Sequence, residues 1–414
     1  MRDTVTMRRE ERQGEILDAA LRVIRRDGVD GLRAQSLADE AGVSIAAPYH
    51  YFTSLQDIIC AVYVRERGIA QVRRDVAQAA AGTLPADQLR AILAADFEGP
   101  PETVSTAWGT RIEYQRRAIF DERVRELVYA GEHHALEQLT TTLQSEQTTT
   151  GSPPETISTE LAARRLLALS CGLGVLVVLA IIAPSEAVTL LDGALHDRPH
   201  WQQTGTGHGE SAPARSFPTA PAGDQATHIL DATVALIARS GVAGVRFPAV
   251  AHEAGVSPSL PRYYFRTKRA LLDAAFAHDM ALAQQRMARS ADELADPLAR
   301  LQYAYIGSSP EHLAALRPTL VLWSEYLRVA EREPTAQTTA RERLQFWIDT
   351  GLRLGTELAD AGHTQPNRIT LAASQRQLAV NTGAAVLWLI GVLTAGEYPV
   401  VVNGTIDDEL GLSA

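Results

Sequence analysis

The chain carries one long segment twice. Residues 16–59 and residues 229–272 align without a gap and are identical at 19 of 44 positions. Identity at one fixed spacing constrains the fold more than any local propensity, because both copies must build the same unit. The copies share Gly28/Gly241, Gly31/Gly244, Gly42/Gly255 and Pro48/Pro261, residues that punctuate backbone shape. The likeness continues more faintly. Ala107-Trp108 answers Leu322-Trp323, and residues 166–180 answer residues 377–390, with Gly172 matching Gly383. A repeat of about 200 residues is too long for a solenoid unit, so this is a tandem duplication of a whole module.

Residues 198–224 lack apolar period and are rich in Gly, Pro, Ser and Thr, which marks a linker between the modules. The 414 residues therefore divide into two modules of ordinary size, each able to bury a core without staples. The two cysteines, Cys60 and Cys171, cannot form a disulfide framework. Together with an N-terminus that has no apolar run, they point to a cytoplasmic setting.

Each module opens on helical signals. Ile16, Leu17, Ala20, Leu21, Val23 and Ile24 form an apolar stripe stopped at Asp27-Gly28. A second short helix is expected over 34–40, then a sharp turn at Gly42. A third is expected from Ser44 as N-cap through Tyr51. The second copy repeats the pattern over 249–253, with a turn at Gly255, Ser257 as N-cap and Pro258 at the first helical position. Two short helices joined by a tight glycine turn form a helix-turn-helix, whose second helix enters a DNA major groove.

The runs ILDAA…GVDGLR…LADEAGVS…PYHYF and ILDAT…GVAGVR…VAHEAGVS…RYYFRTKRALL each resemble the TetR family of transcriptional regulators. The resemblance implies an all-α fold with a three-helix DNA-binding head, then a helical body that binds a ligand and dimerises through its last helices. Family members usually carry one such module, and this chain carries two. The expected division is a first head over 8–72 and body over 73–197, the linker, then a second head over 225–285 and body over 286–414. Residues expected at DNA are Arg33, Ser44, Ile45, Ala46, Ala47, Tyr49, His50 and Tyr51 in the first head. In the second they are Arg246, Ser257, Pro258, Ser259, Arg262, Tyr263, Tyr264 and Lys268. Tyrosine and arginine there suit phosphate and base-edge contacts. By resemblance, Lys268, the sole lysine of the chain, lies beside the phosphate backbone.

A net charge of −10 argues against DNA only as an average. Residues 1–75 carry 12 arginines and 12 acids, and residues 225–290 carry 8 cations and 4 acids, so the acidity resides in the bodies and linker. Screening over about 10 Å lets local potential decide. The first head keeps its cations in an arm before the first helix (Arg8, Arg9, Arg12) and at Arg33. The second head is expected to supply more of the affinity. Paired positions differ, as Ile45/Pro258, Ala46/Ser259, Ala47/Leu260, Tyr49/Arg262 and His50/Tyr263, so the operator is expected to be an imperfect palindrome.

Residues 166–183 form an uncharged apolar run long enough to raise a membrane span. Its glycines and its interrupted counterpart near 378–396 favour an interface helix, and no membrane partner is expected. Pairing of the two halves within one chain, with a further homodimer left open, is the expected assembly. A small-molecule effector is expected in the bodies. Trp108, Tyr114, Trp323, Tyr326, Phe346 and Trp347 are the candidate lining residues, and body acidity leans towards a neutral or cationic compound. No catalytic constellation, cofactor motif or metal set is present in the pattern: the GTGHG of 205–209 follows no strand, and there is no GxSxG or CxxC. The alternative to a ligand-released repressor is an architectural DNA binder that responds to no ligand.

Overall fold

A computed structural model of the chain describes residues 2–150, 157–198, 201, 225–305 and 310–412; most of the expected linker lies outside the described residues. The described residues are helical, with no strand among them. The first half contains α1 (Arg2–Asp27), α2 (Ala34–Ala41), α3 (Leu55–Ala80), α4 (Pro85–Ala94), α5 (Pro101–Ala118), α6 (Glu122–Thr150), α7 (Thr159–Val178) and α8 (Pro184–Asp197). The second contains α9 (Gln225–Gly244), α10 (Phe247–Glu253), α11 (Leu260–Tyr264), α12 (Lys268–Glu293), α13 (Pro297–Ala304), α14 (Pro310–Arg332), α15 (Pro334–Asp360), α16 (Leu371–Leu389) and α17 (Glu397–Leu410). A 3₁₀ turn at Ala47–His50 stands in the first half where α11 stands in the second.

The glycine turns close the two heads identically. Gly42 adopts φ 65° and Gly255 φ 64°, with nothing within 4 Å of where a Cβ would sit, so the left-handed backbone alone selects glycine. The N–H groups of Val43 and Val256 donate to the carbonyls of Ala38 and Ala251, each at 3.0 Å, completing a Schellman cap. Ile16, Ala20, Ile24, Leu37, Ile58 and Val62 fill the core beneath the first turn. Ile229, Ile237, Val250, Leu271 and Ala275 fill that beneath the second.

Two expectations about the third helix are corrected. It starts at Ala47 and at Leu260, so Ser44 and Ser257 are not N-caps and Pro258 precedes the helix. In both copies the residues after the glycine form a turn first, in which the N–H groups of Ala47 and Leu260 donate to the carbonyls of Ser44 and Ser257 at 3.0 Å. Pro48 and Pro261 then occupy the first helical turn, where no donor is required. The basic arm is also not an arm: α1 extends back to Arg2, and Arg12 pairs with Glu15 one turn away at 2.6 Å.

The register of the bodies departs from the tryptophan match. Glu113 accepts the N–H of Val29 at 2.6 Å, and Glu325 accepts the N–H of Val242 at 2.7 Å. Tyr114 packs on Tyr63 and Tyr326 on Phe276. These pairs fix the offset between α5 and α14 at 212 residues, so Trp323 corresponds to Arg111 and Trp108 to Leu320. Matching Trp108 with Trp323 slips by three residues. That is nearly one helical turn, which preserves the face and so disguises the error.

The halves meet along α7 and α16. A Cβ on Gly172 would fall inside the carbonyl of Ala379, and one on Gly383 inside that of Ala168, so the two backbones are in direct contact. The apolar window of α7 that could cross a membrane by composition is 94% buried here. Ion pairs frame this seam: Arg165 with Asp408, Arg164 with Glu397 at 2.8 Å, and Arg376 with Asp197 at 3.4 Å.

Candidate DNA-binding heads and effector cavity

Within each head the exposed residues follow from the capped turn. In the first, Ser44, Ala46 and His50 are exposed, Ile45 is 49% and Tyr49 41% exposed, and Ala47 and Tyr51 are half-buried. Arg33 stands exposed at the start of α2. In the second, Ser257, Pro258, Ser259 and Arg262 are exposed, with Tyr263 at 79% and Tyr264 at 41%. An apolar or aromatic side chain standing free on a short helix has no packing reason to be there, whereas a groove of base edges supplies one.

Charge separates the heads. Arg246, Arg262, Arg266 and Lys268 line one surface groove of about 520 Å³ that contains no carboxylate. The Arg262 guanidinium lies over the Phe247 ring at 5.1 Å, which orients it. Lys268 is not a free cation: its Nζ donates to the Val242 carbonyl at 2.6 Å, at the end of α9. Partial burial, and then the neighbouring Arg328, pull its pKa below the ordinary lysine value. In the first head Arg22 and Arg26 are held by Glu40, as Arg239 of the second is by Glu253.

The bodies differ as sharply. The first holds a cavity of about 750 Å³ between α1, α3 and α5, walled by Trp108 and Tyr114 as expected of a lining but dominated by arginine. Arg25, Arg65, Arg67, Arg73, Arg74 and Arg111 all reach it. Asp96 is shared by Arg73 at 3.3 Å, Arg111 at 3.4 Å and Arg74, and Glu132 is held by Arg111. Burial opposes ionisation of both acids, but the guanidiniums prevail, above all Arg74 and Arg111 at Asp96 and Arg111 and Arg67 at Glu132, and bring each down to about 2.

In the second body the corresponding space is about 80 Å³, lined by Met287, Trp323, Arg343 and Trp347 among others. Arg343, which takes the place of Gly131, fills it: its guanidinium lies 5.0 Å from the Trp323 ring and 5.3 Å from Phe276, and pairs with Asp279 at 3.1 Å. Tyr326 borders a smaller crevice beside Glu325, and Phe346 lines none of these spaces.

Sequence reasoning did not single out Arg67, Arg74, Arg111, Asp96 or Glu132. The signal lay in the repeat itself. At the same offsets the second copy has Met280 for Arg67, Met287 for Arg74, Trp323 for Arg111 and Leu344 for Glu132. A charge standing at an interior position in one copy only marks a specialised interior.

The family model for bacterial regulatory proteins of the tetR family matches residues 16–62 and again 229–275. The HTH-type transcriptional regulator BetI of Paraburkholderia phytofirmans is 29% identical over 174 residues, covering 41% of this chain and 83% of that protein. BetI of Agrobacterium fabrum is 35% identical over 109 residues, covering 25% of this chain and 52% of its own length. Among solved structures, a transcriptional regulator of the TetR/AcrR family from Thermobifida fusca aligns at TM-score 0.33 and 20% identity, over 46% of this chain and 100% of its own. The ketosteroid transcriptional regulator KstR2 of Mycobacterium tuberculosis aligns at 0.34 and 18%, over 47% and 97%. Two matched heads with capped turns give the conclusion: the chain is a DNA-binding transcriptional regulator made of two TetR-family modules in tandem.

Proposed function

We propose that this regulator is a repressor released by a small molecule, acting in the cytoplasm as a covalent pseudo-dimer. Its heads, over 8–72 and 225–285, read the unlike halves of one imperfect palindrome. The observation that carries the reading is the difference between equivalent exposed positions: Tyr49 against Arg262 and His50 against Tyr263. Identical heads would read identical half-sites, and these are not identical. The bodies, over 73–197 and 286–414, pair through α7 and α16, and linkage makes that pairing unimolecular.

Selection of bound sequences from random DNA, with solution mass measured on the complex, tests the reading. The expected product is one chain on a site of two unlike halves, bound equally well on dilution. Enrichment of a perfect palindrome, or of no sequence, would refute it. An architectural binder would show no sequence preference and no ligand response in the same assay.

A further inference from the structure

We propose that the first body alone takes the effector, and that the effector bears an anionic group, such as a carboxylate, seated on the arginines of the cavity. The inference deepens the ligand-released reading and rests on it. Arg73, Arg74 and Arg111 share Asp96, and Arg111 also holds Glu132. With Arg67, four guanidiniums therefore face two carboxylates at this end of the cavity. At the other end Arg25 and Arg65 are matched by Glu66 and Asp18, and Glu102 also lines the wall. Arg67 has no carboxylate of its own: it donates to the Gly131 carbonyl at 2.6 Å and lines the cavity. Burial, with Arg111 and Arg74 nearby, pulls its pKa below the usual arginine range.

Two donor atoms on residues that line the same cavity have no partner. Arg74 is 4% exposed and Tyr63 5%, and both Arg74 Nη1 and Tyr63 Oη lack a hydrogen-bond partner. Burial raises the Tyr63 phenol above its ordinary value, so at neutral pH it is a donor and not an anion. Buried donors in excess of acceptors are costly unless an acceptor arrives, and an anion satisfies guanidinium and phenol together. Trp108 and Tyr114 supply apolar wall for the rest of such a molecule. An ammonium compound, towards which the acidity of the body as a whole leans, would face the wrong charge here.

The second body offers no equivalent seat. Phe276, Met280, Met287 and Trp323 replace Tyr63, Arg67, Arg74 and Arg111, only Arg286 keeps the place of an arginine (Arg73), and Arg343 with Asp279 closes a neutral pair over the remaining space. One effector per chain follows.

Titration calorimetry of the full chain tests this with three probe series of matched length: straight-chain carboxylates of six to ten carbons, the corresponding 1-alkanols, and alkyltrimethylammonium ions. Carboxylates are expected to bind at one per chain and at least tenfold more tightly than the alcohols, with the ammonium ions weakest. Arg67→Gln should bring carboxylate affinity down to that of the alcohols; Arg343→Gln, outside that cavity, should leave the preference intact. Binding of alcohols or ammonium ions as tight as that of carboxylates, two sites per chain, or no binding by any carboxylate would overturn the proposal. Operator release is read separately. A carboxylate that binds without releasing DNA defeats the repressor reading only, and release by an ammonium probe alone defeats the anion proposal only.

Discussion

Arg116 of the first module donates to Glu325 of the second at 2.5 Å, and the other oxygen of Glu325 holds the Val242 N–H at the turn that ends the first helical run of the second head. Arg116 also contacts Glu113 at 3.0 Å and Asp30 at 2.9 Å, and Glu113 holds the Val29 N–H of the first head. One guanidinium thus joins the two backbone turns from which the heads hang. From the other side, Arg332 donates to the Arg26 carbonyl at 3.1 Å, at the C-terminal end of α1.

Arg116 is 3% exposed, and Glu113 and Glu325 are 2% and 1% exposed, so removing the cation strands two buried carboxylates. Arg116→Met should therefore destabilise the chain by about 3–5 kcal/mol in denaturant unfolding. Because the loss is an uncompensated charge, Glu325→Gln added to it should cost far less than it costs alone. Strictly additive losses would show that the two residues do not act as a unit.

The seam between α7 and α16 gives a contrast among glycines. Gly172→Ala and Gly383→Ala must push the paired backbones away from each other and should each cost about 1–3 kcal/mol. Gly68→Ala, within α3 and with nothing within 4 Å of the new Cβ, should instead gain about 0.5–1 kcal/mol. Thermal unfolding of the three variants decides it. A stabilised Gly172→Ala would mean the helices do not touch as described.

At the DNA, Arg262→Ala with Arg266→Ala should weaken operator binding more than Arg9→Ala with Arg12→Ala, because the former pair lines a groove free of carboxylates while Arg12 is held by Glu15. Every phosphate deprived of its arginine should flatten the log–log salt dependence by about 0.9. Lys268→Ala is the less clean variant, since its Nζ also caps α9, and should lower stability as well as affinity. A larger loss from the α1 pair would show that the first head dominates.

The heads were legible in the sequence because their shape depends on single residues: a glycine with positive φ closing a short helix has few solutions. The start of the third helix was not, since Ser44 and Ser257 look like caps while a turn with backbone bonding takes their place. In the bodies, Trp108 and Trp323 seemed to fix a register that Glu113 and Glu325 correct by three residues. The cavity was hidden for a different reason. Arg67, Arg74 and Arg111 lie on two helices, and nothing in one helix distinguishes a buried arginine from a solvated one. Only the packing of α3 against α5 and α6 turns them inward.

The buried acids of the first body make its stability sensitive to pH in a defined direction. Asp96 and Glu132 are held near 2 in the fold, against about 3.9 and 4.3 for free side chains. The unfolded chain therefore binds protons first as pH falls. The stabilisation from their ion pairs is complete above about pH 5 and is lost between there and about pH 2, on the order of 3 kcal/mol for each acid. Asp96→Asn removes one of these titrations and leaves Arg73 and Arg74 without their carboxylate. It should be less stable than the parent at pH 7, and the difference should shrink as pH falls from 5 towards 2. Urea unfolding at half-unit steps of pH checks both statements; a difference that stays constant across that window would mean Asp96 contributes no titrating stabilisation.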